Sequence, residues 1–140
     1  MNAKQLKYHF NKHVNRKAKV VTADKRYVGL PKKWLLGKFY IKWLEIRQEF
    51  NIKYNEKFDC DNFSGLYKSL VQLYFSQSSD VPVDGIALAE IHYFRDKGGG
   101  HSILTAMVEE GEWIFIEPQT GLQIDLSRSE KRSVWFAYFY

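Results

Sequence analysis

The sequence predicts an α+β fold in which N-terminal helices pack on an antiparallel sheet. Two observations carry this. Apolar residues recur at helical spacing in the first part of the chain and alternate like strands from Ile86 onward. Helices in one block and strands in the next is the order of an α+β domain. At 140 residues the chain reads as one domain, 1–140, large enough to bury a core. Its first part, 1–57, is basic and helical, and its second, 58–140, holds a cysteine-bearing helix followed by the sheet.

The first twenty residues place Leu6, Tyr8, Phe10 and Val14 two to four apart among lysines and arginines, as in a short helix or a docked arm. Val20 to Thr22 reads as a short strand, and Asp24 to Gly29 as a turn. Leu30-Pro31 opens a helix, because proline suits a first helical position whose N–H has no partner. Trp34, Leu35, Phe39, Ile41, Trp43, Leu44, Ile46 and Phe50 give that helix a broad apolar face, and Lys32, Lys33, Lys38, Lys42 and Arg47 cover the rest. So wide an aromatic face packs on its own domain rather than on a membrane. Asn51 to Phe58 is a polar linker.

Asp59 is an N-cap for the next helix, whose buried stripe is Phe63, Leu66, Tyr67, Leu70, Leu73 and Tyr74. Ser76 to Pro82 ends it. Strands follow at Ile86–Phe94, His101–Val108 and Trp113–Glu117, with turns at Gly98-Gly99-Gly100, at Gly111 and at Pro118 to Gly121. Leu122–Leu126 and Val134–Tyr140 add strand candidates. The last is aromatic enough to end inside the fold or against a second copy, so a homodimer is one expected partner state.

Apolar residues make up 45% and charged residues 26%, which excludes a disordered chain and a membrane bundle. No run approaches the ~18 apolar residues of a membrane span, so no membrane partner is expected. The basic start is not followed by an apolar signal region, and a single cysteine excludes an internal disulfide; a cytoplasmic, reducing location is the expectation. Residues 1–57 carry a net +11 and residues 58–140 a net −6. The asymmetry either lets the halves attract each other or marks an anionic partner such as nucleic acid, which Tyr8, Phe10, Trp34 and Tyr40 would contact between the basic residues. His9 and His13, four apart, read as solvated surface residues before metal ligands.

Cys60 carries the chemistry. In the first turn of a helix, unsatisfied N–H groups and the dipole favour a thiolate and can hold an oxyanion. His101, after a glycine turn, is the candidate base. A hairpin about Gly111 brings it to position 117 or 119, so Glu117 is the candidate group to orient the imidazole. Nucleophile, base and acid then come from three separate elements.

Asp-Cys-Asp-Asn-Phe at 59–63, Gly-Gly-Gly-His at 98–101 and Phe-Ile-Glu-Pro-Gln-Thr-Gly at 115–121 resemble the papain-like C-terminal domain of fungal agglutinins and its bacterial and phage relatives. More distantly they are similar to bacterial transglutaminase-like cysteine proteinases. The resemblance spans roughly residues 55–140 and implies a papain-like fold and a cysteine hydrolase acting on a peptide or protein, with Cys60, His101 and Glu117 as the triad. It also implies calcium dependence, with Asp61, Glu117 and Gln119 as ligands. Two departures stand out. The nearest upstream glutamine, Gln48, is too far for an oxyanion donor, leaving Asn55 or the Cys60 N–H, and Asn62 stands where relatives carry a second acid. Two other readings stay open: an inactive papain-like interaction module of phage or bacterial origin, and a nucleic-acid-binding accessory protein using the basic N-terminal part.

Overall fold

A computed structural model describes residues 1–78, 80, 84–109 and 111–140. The elements run α1 (Ala3–His13), β1 (Lys19–Thr22), β2 (Tyr27–Val28), a π-helical stretch (Trp34–Phe39) continuing into α2 (Tyr40–Glu49), α3 (Cys60–Ser78), β3 (Gly85–Ile86), β4 (Leu88–Phe94), β5 (Gly100–Met107), β6 (Trp113–Glu117), β7 (Leu122–Ile124), α4 (Arg128–Ser133) and β8 (Phe136–Phe139).

Six strands form one sheet in the order β1-β8-β4-β5-β6-β7, and β2 and β3 pair separately. The expected fold class is corrected here. The sheet is mixed rather than antiparallel, because β1 runs parallel to β8 from Lys19↔Phe136 to Thr22↔Phe139. Helices cover both of its faces. Leu6 and Phe10 of α1 pack with Ala89, Ile91, Tyr93, Ile103, Phe115 and Phe139. On the other face Leu35, Phe39 and Trp43, then Phe63, Tyr67 and Val71, pack with Leu88, Leu104, Ile114 and Ile116. Alternating strand residues point to opposite faces, so a strand apolar at every position must be covered twice. β4 is such a strand.

Local signals account for most boundaries. Asn2 caps α1 in a reciprocal box with Gln5, both bonds at 2.9 Å. Leu35, Phe39 and Trp43 are four apart, a spacing that the wider π turn keeps on one side, and all three are buried. Ile41, Leu44 and Phe50 are exposed, so the apolar face is narrower than the sequence suggests. The expected turn at 24–29 contains β2. Leu122–Ile124 is a strand, and α4 was not expected, although Ser127 and Glu130 form a capping box that announces it. The expected end of α3 at 76–82 lies partly outside the described residues. At the 109–112 turn, Gly111 takes φ +79° and donates its N–H to the Val108 carbonyl.

The aromatic C-terminal strand lies inside the sheet, between β1 and β4. The two charge-asymmetric halves meet at ion pairs, Arg26–Asp84 at 3.2 Å and Lys32–Glu112 at 3.3 Å. These pairs are exposed and stabilise little. Among the described residues no helix is long and apolar enough to cross a membrane.

Candidate functional site

The start of α3 sits over one end of the sheet. Asp59 precedes it, donating its N–H to the Asn62 side chain at 3.1 Å, and its carboxylate accepts from the Asn62 N–H in return. Asn62 thus completes a cap rather than merely replacing an acid. The Asp59 and Asp61 carboxylates are close neighbours at the helix start. This contact raises Asp59 above the usual carboxylate range and lowers Asp61, which also gains from His92.

Beneath the helix start a polar chain crosses from α3 to the sheet. Ser64 Oγ lies 3.0 Å from Ser102 Oγ, which is 3.0 Å from Glu90 Oε1, and the same oxygen lies 3.0 Å from His92 Nε2. The hydrogen bond to Glu90 raises the His92 pKa above its ordinary value against the opposing effect of burial, and Asp61 adds to the rise. His92 Nδ1 has no hydrogen-bond partner among the described residues. At the rim, Phe94 and Trp135 stack with centroids 4.6 Å apart and planes at 35°, while remaining 56% and 43% exposed. The Trp135 ring also meets His92 edge-on at 5.8 Å.

Cys60 is half-buried. Burial pushes its thiol pKa up, and the nearby Asp61 and Asp59 charges add to the rise, against a lowering by the Ser102 N–H. Its sulfur lies 3.8 Å from Asp61 Oδ1.

His101 and Glu117 are brought together as the hairpin predicts, with Nε2 2.7 Å from Oε1. Cys60 does not join them: among the described residues no hydrogen bond links its sulfur to His101. Strand alternation gives the reason. Ser102 points toward α3, whereas His101 is paired with Tyr93, and Tyr93 belongs to the core under α1. The His101–Glu117 pair therefore rests against Tyr93, with ring centroids 5.9 Å apart.

The turn after Glu117 is fastened to α2. Trp43 Nε1 donates to the Pro118 carbonyl at 2.8 Å, and the Arg47 guanidinium donates to the Gln119 carbonyl. Gly121 takes φ +76°, and a Cβ there would lie 2.8 Å from Trp43 Cδ1, so the turn requires glycine.

The other expected site residues have partners of their own. Asn55 is engaged locally, donating to the Lys53 carbonyl at 3.1 Å and accepting from the Lys57 N–H at 2.9 Å. Asp61 faces Asp59, and Glu117 faces His101. Among the described residues no group of three or more His, Cys, Asp and Glu stands ready for a metal ion. Of the expected calcium ligands, Asp61 and Glu117 thus already have protein partners. Phe10 is buried, which removes it from the expected nucleic-acid surface, and Trp34 is half-buried against Phe75. His9 accepts from Trp113 Nε1 at 2.9 Å, and burial and the neighbouring His13 lower its pKa.

Sequence reading missed the Phe94–Trp135 pair and the Ser64–Ser102–Glu90 chain. A signal existed for part of it: Glu90, His92 and Phe94 alternate and so share a sheet face.

No family model matches the sequence. A 63-residue stretch is 27% identical to flavin adenine dinucleotide synthase of Saccharomyces cerevisiae, covering 45% of this chain and 21% of that protein. Two solved structures are similar over 99% of this chain at 16% identity. One is described as "PSL1a-E64 complex", with a TM-score of 0.73. The other is Polyporus squamosus lectin bound to the human-type influenza-binding epitope Neu5Aca2-6Galb1-4GlcNAc, with a TM-score of 0.71. The chain spans 51% and 49% of those chains.

These likenesses correct the sequence reading. One of these fold neighbours is a saccharide-bound lectin, and the expectation of a papain-like cysteine hydrolase is withdrawn on that likeness. The unjoined, upward-shifted thiol agrees with that correction.

Proposed function

We propose that this chain is a saccharide-binding module whose ligand lies against Phe94 and Trp135, with Asp61 and His92 as its polar partners. The exposed, stacked ring pair carries the reading. Two large aromatic side chains left in water at a strand end mark a contact surface rather than a core. A sugar offers such rings an apolar C–H face and offers its hydroxyls to neighbouring polar groups. Asp61 supplies a carboxylate held ionised, and His92 supplies Nδ1 while Glu90 holds its other nitrogen.

The lectin likeness supports the same class of ligand. Saccharide binding by that neighbour is a property of a chain about twice this length, so the ring pair, not the likeness, locates the site here. The partner is then a glycan and not a peptide substrate.

Titration with the sialylated trisaccharide, lactosamine and simple hexoses, followed by amide chemical shifts, tests this. Shifts confined to residues 90–94, 100–102 and 135, abolished by Trp135→Ala and unchanged by Cys60→Ala, are expected. No saccharide-dependent shift in that region at millimolar ligand, or shifts that survive Trp135→Ala, would sink it.

A further inference from the structure

A concave site lies at the C-terminal end of α1. A cavity of about 600 Å3 is walled by Lys12 and Val14 at the end of that helix, by Arg16 and Lys17 in the following turn, and by Arg128 and Arg132 on α4. Five cations face it and no carboxylate lines it. None of the five makes an ion pair or a side-chain hydrogen bond among the described residues. The acids of this neighbourhood are engaged elsewhere: Glu130 accepts from the Ser127 and Asp96 N–H groups, and Asp96 accepts from the Ser127 and Ser129 hydroxyls.

The walls are tied together across the chain. Asn15 Nδ2 donates to the Arg132 carbonyl at 2.9 Å and to the Val134 carbonyl at 2.7 Å. Asn11 Nδ2 donates to the carbonyls of Arg16 and Ala18 at 3.0 and 3.3 Å. The two asparagines hold residues 16–18 against the end of α4, so cations more than 100 residues apart in sequence are presented around one hollow.

Like charges gathered around a hollow without counter-charges build a positive potential that concentrates anions there. Three guanidinium groups favour ligands with planar or tetrahedral oxyanions. We propose that this cavity binds a compact anion carrying several phosphate or sulfate groups. One oxyanion neutralises at most two charges, so a single phosphate leaves most of the site unmatched. The hollow is separate from the Phe94–Trp135 surface, and the proposal does not depend on the saccharide reading.

Calorimetric titration of the whole chain tests it with three probes: inositol hexakisphosphate, sucrose octasulfate and inorganic phosphate. At ~0.15 M salt, at least one polyanion is expected to bind at least about tenfold more tightly than inorganic phosphate, and to weaken as salt rises. The double variant Arg16→Gln with Arg132→Gln is expected to lose at least about tenfold in that affinity, whereas Lys53→Gln with Lys57→Gln keeps it. The substituted side chains are exposed, and circular dichroism verifies folding. Binding of the phosphate ester alone identifies phosphate as the group read, binding of the sulfate ester alone identifies sulfate, and binding of both identifies charge density. Polyanion affinity no better than that of inorganic phosphate would overturn the proposal, as would equal loss in the two double variants.

Discussion

His92 Nε2 sits 3.0 Å from Glu90 Oε1 on the face of β4 that looks toward the start of α3. The carboxylate favours the imidazolium, so the folded-state pKa of His92 lies above its unfolded value. A group shifted upward contributes stability that is fully present below the unfolded pKa and disappears as pH rises through the folded one. Urea unfolding of the wild type is therefore expected to lose a small increment of stability as pH climbs past about 6.5, the ordinary histidine value. Glu90→Gln is expected to remove that increment. An unchanged pH profile in the variant would show that the pair is not coupled to folding.

Lys68 gives a pH dependence of opposite sign. It is 1% exposed on α3, donates to the Tyr140 carbonyl, and lies 3.2 Å from the centre of the Tyr140 ring. Burial lowers its pKa to about 7, with Asp24 and Glu90 opposing the shift. Between that value and the ordinary lysine range the unfolded chain holds a proton that the folded chain does not, so stability rises with pH across that window. Lys68→Met is expected to flatten the rise, by roughly one proton's worth of slope, when unfolding is measured from pH 7 to 10. A slope identical in both proteins would contradict the assignment.

Gly121 permits the close approach of the 117–121 turn to α2. Gly121→Ala imposes both a positive φ and a contact at 2.8 Å with Trp43 Cδ1. A loss of about 2 kcal/mol is expected by chemical denaturation. Loss of the Trp43 bond to Pro118 should accompany it as a change in indole fluorescence. A stability change within error would mean that the turn relaxes away from the helix.

Cys60 is expected to react slowly. Its thiol pKa is raised by burial and by two neighbouring carboxylates. The thiolate is the reactive form, so iodoacetamide labelling at neutral pH should be slower than that of an exposed thiol. Asp61→Asn is expected to speed it. Rapid labelling at pH 6 would contradict the upward shift.

Much of this protein was legible from residue order alone. Both faces of β4 read as apolar, and both are covered. The hairpin about Gly111 places His101 beside Glu117 because antiparallel register follows from turn position. Asp59 and Cys60 open α3 where the capping residue says they should. Length, composition and the lack of a long apolar run exclude disorder and a helical membrane bundle.

Other features depend on contacts between distant segments. Strand order is one: nothing local in Val20-Val21-Thr22 says that it pairs in parallel with residues 137–139. Facing is another. A one-residue step along β5 turns Ser102 toward Ser64 on α3 and His101 toward Tyr93, and residue spacing does not reveal which face a strand's end presents. The basic hollow is a third, since Arg16 and Arg132 line one cavity where Asn15 bridges to the end of α4. Periodicity and capping act over a few residues and can be read along a chain. Pairing partners, faces and convergent charges are settled by the packing of one sheet between two helical layers, which no short stretch of sequence contains.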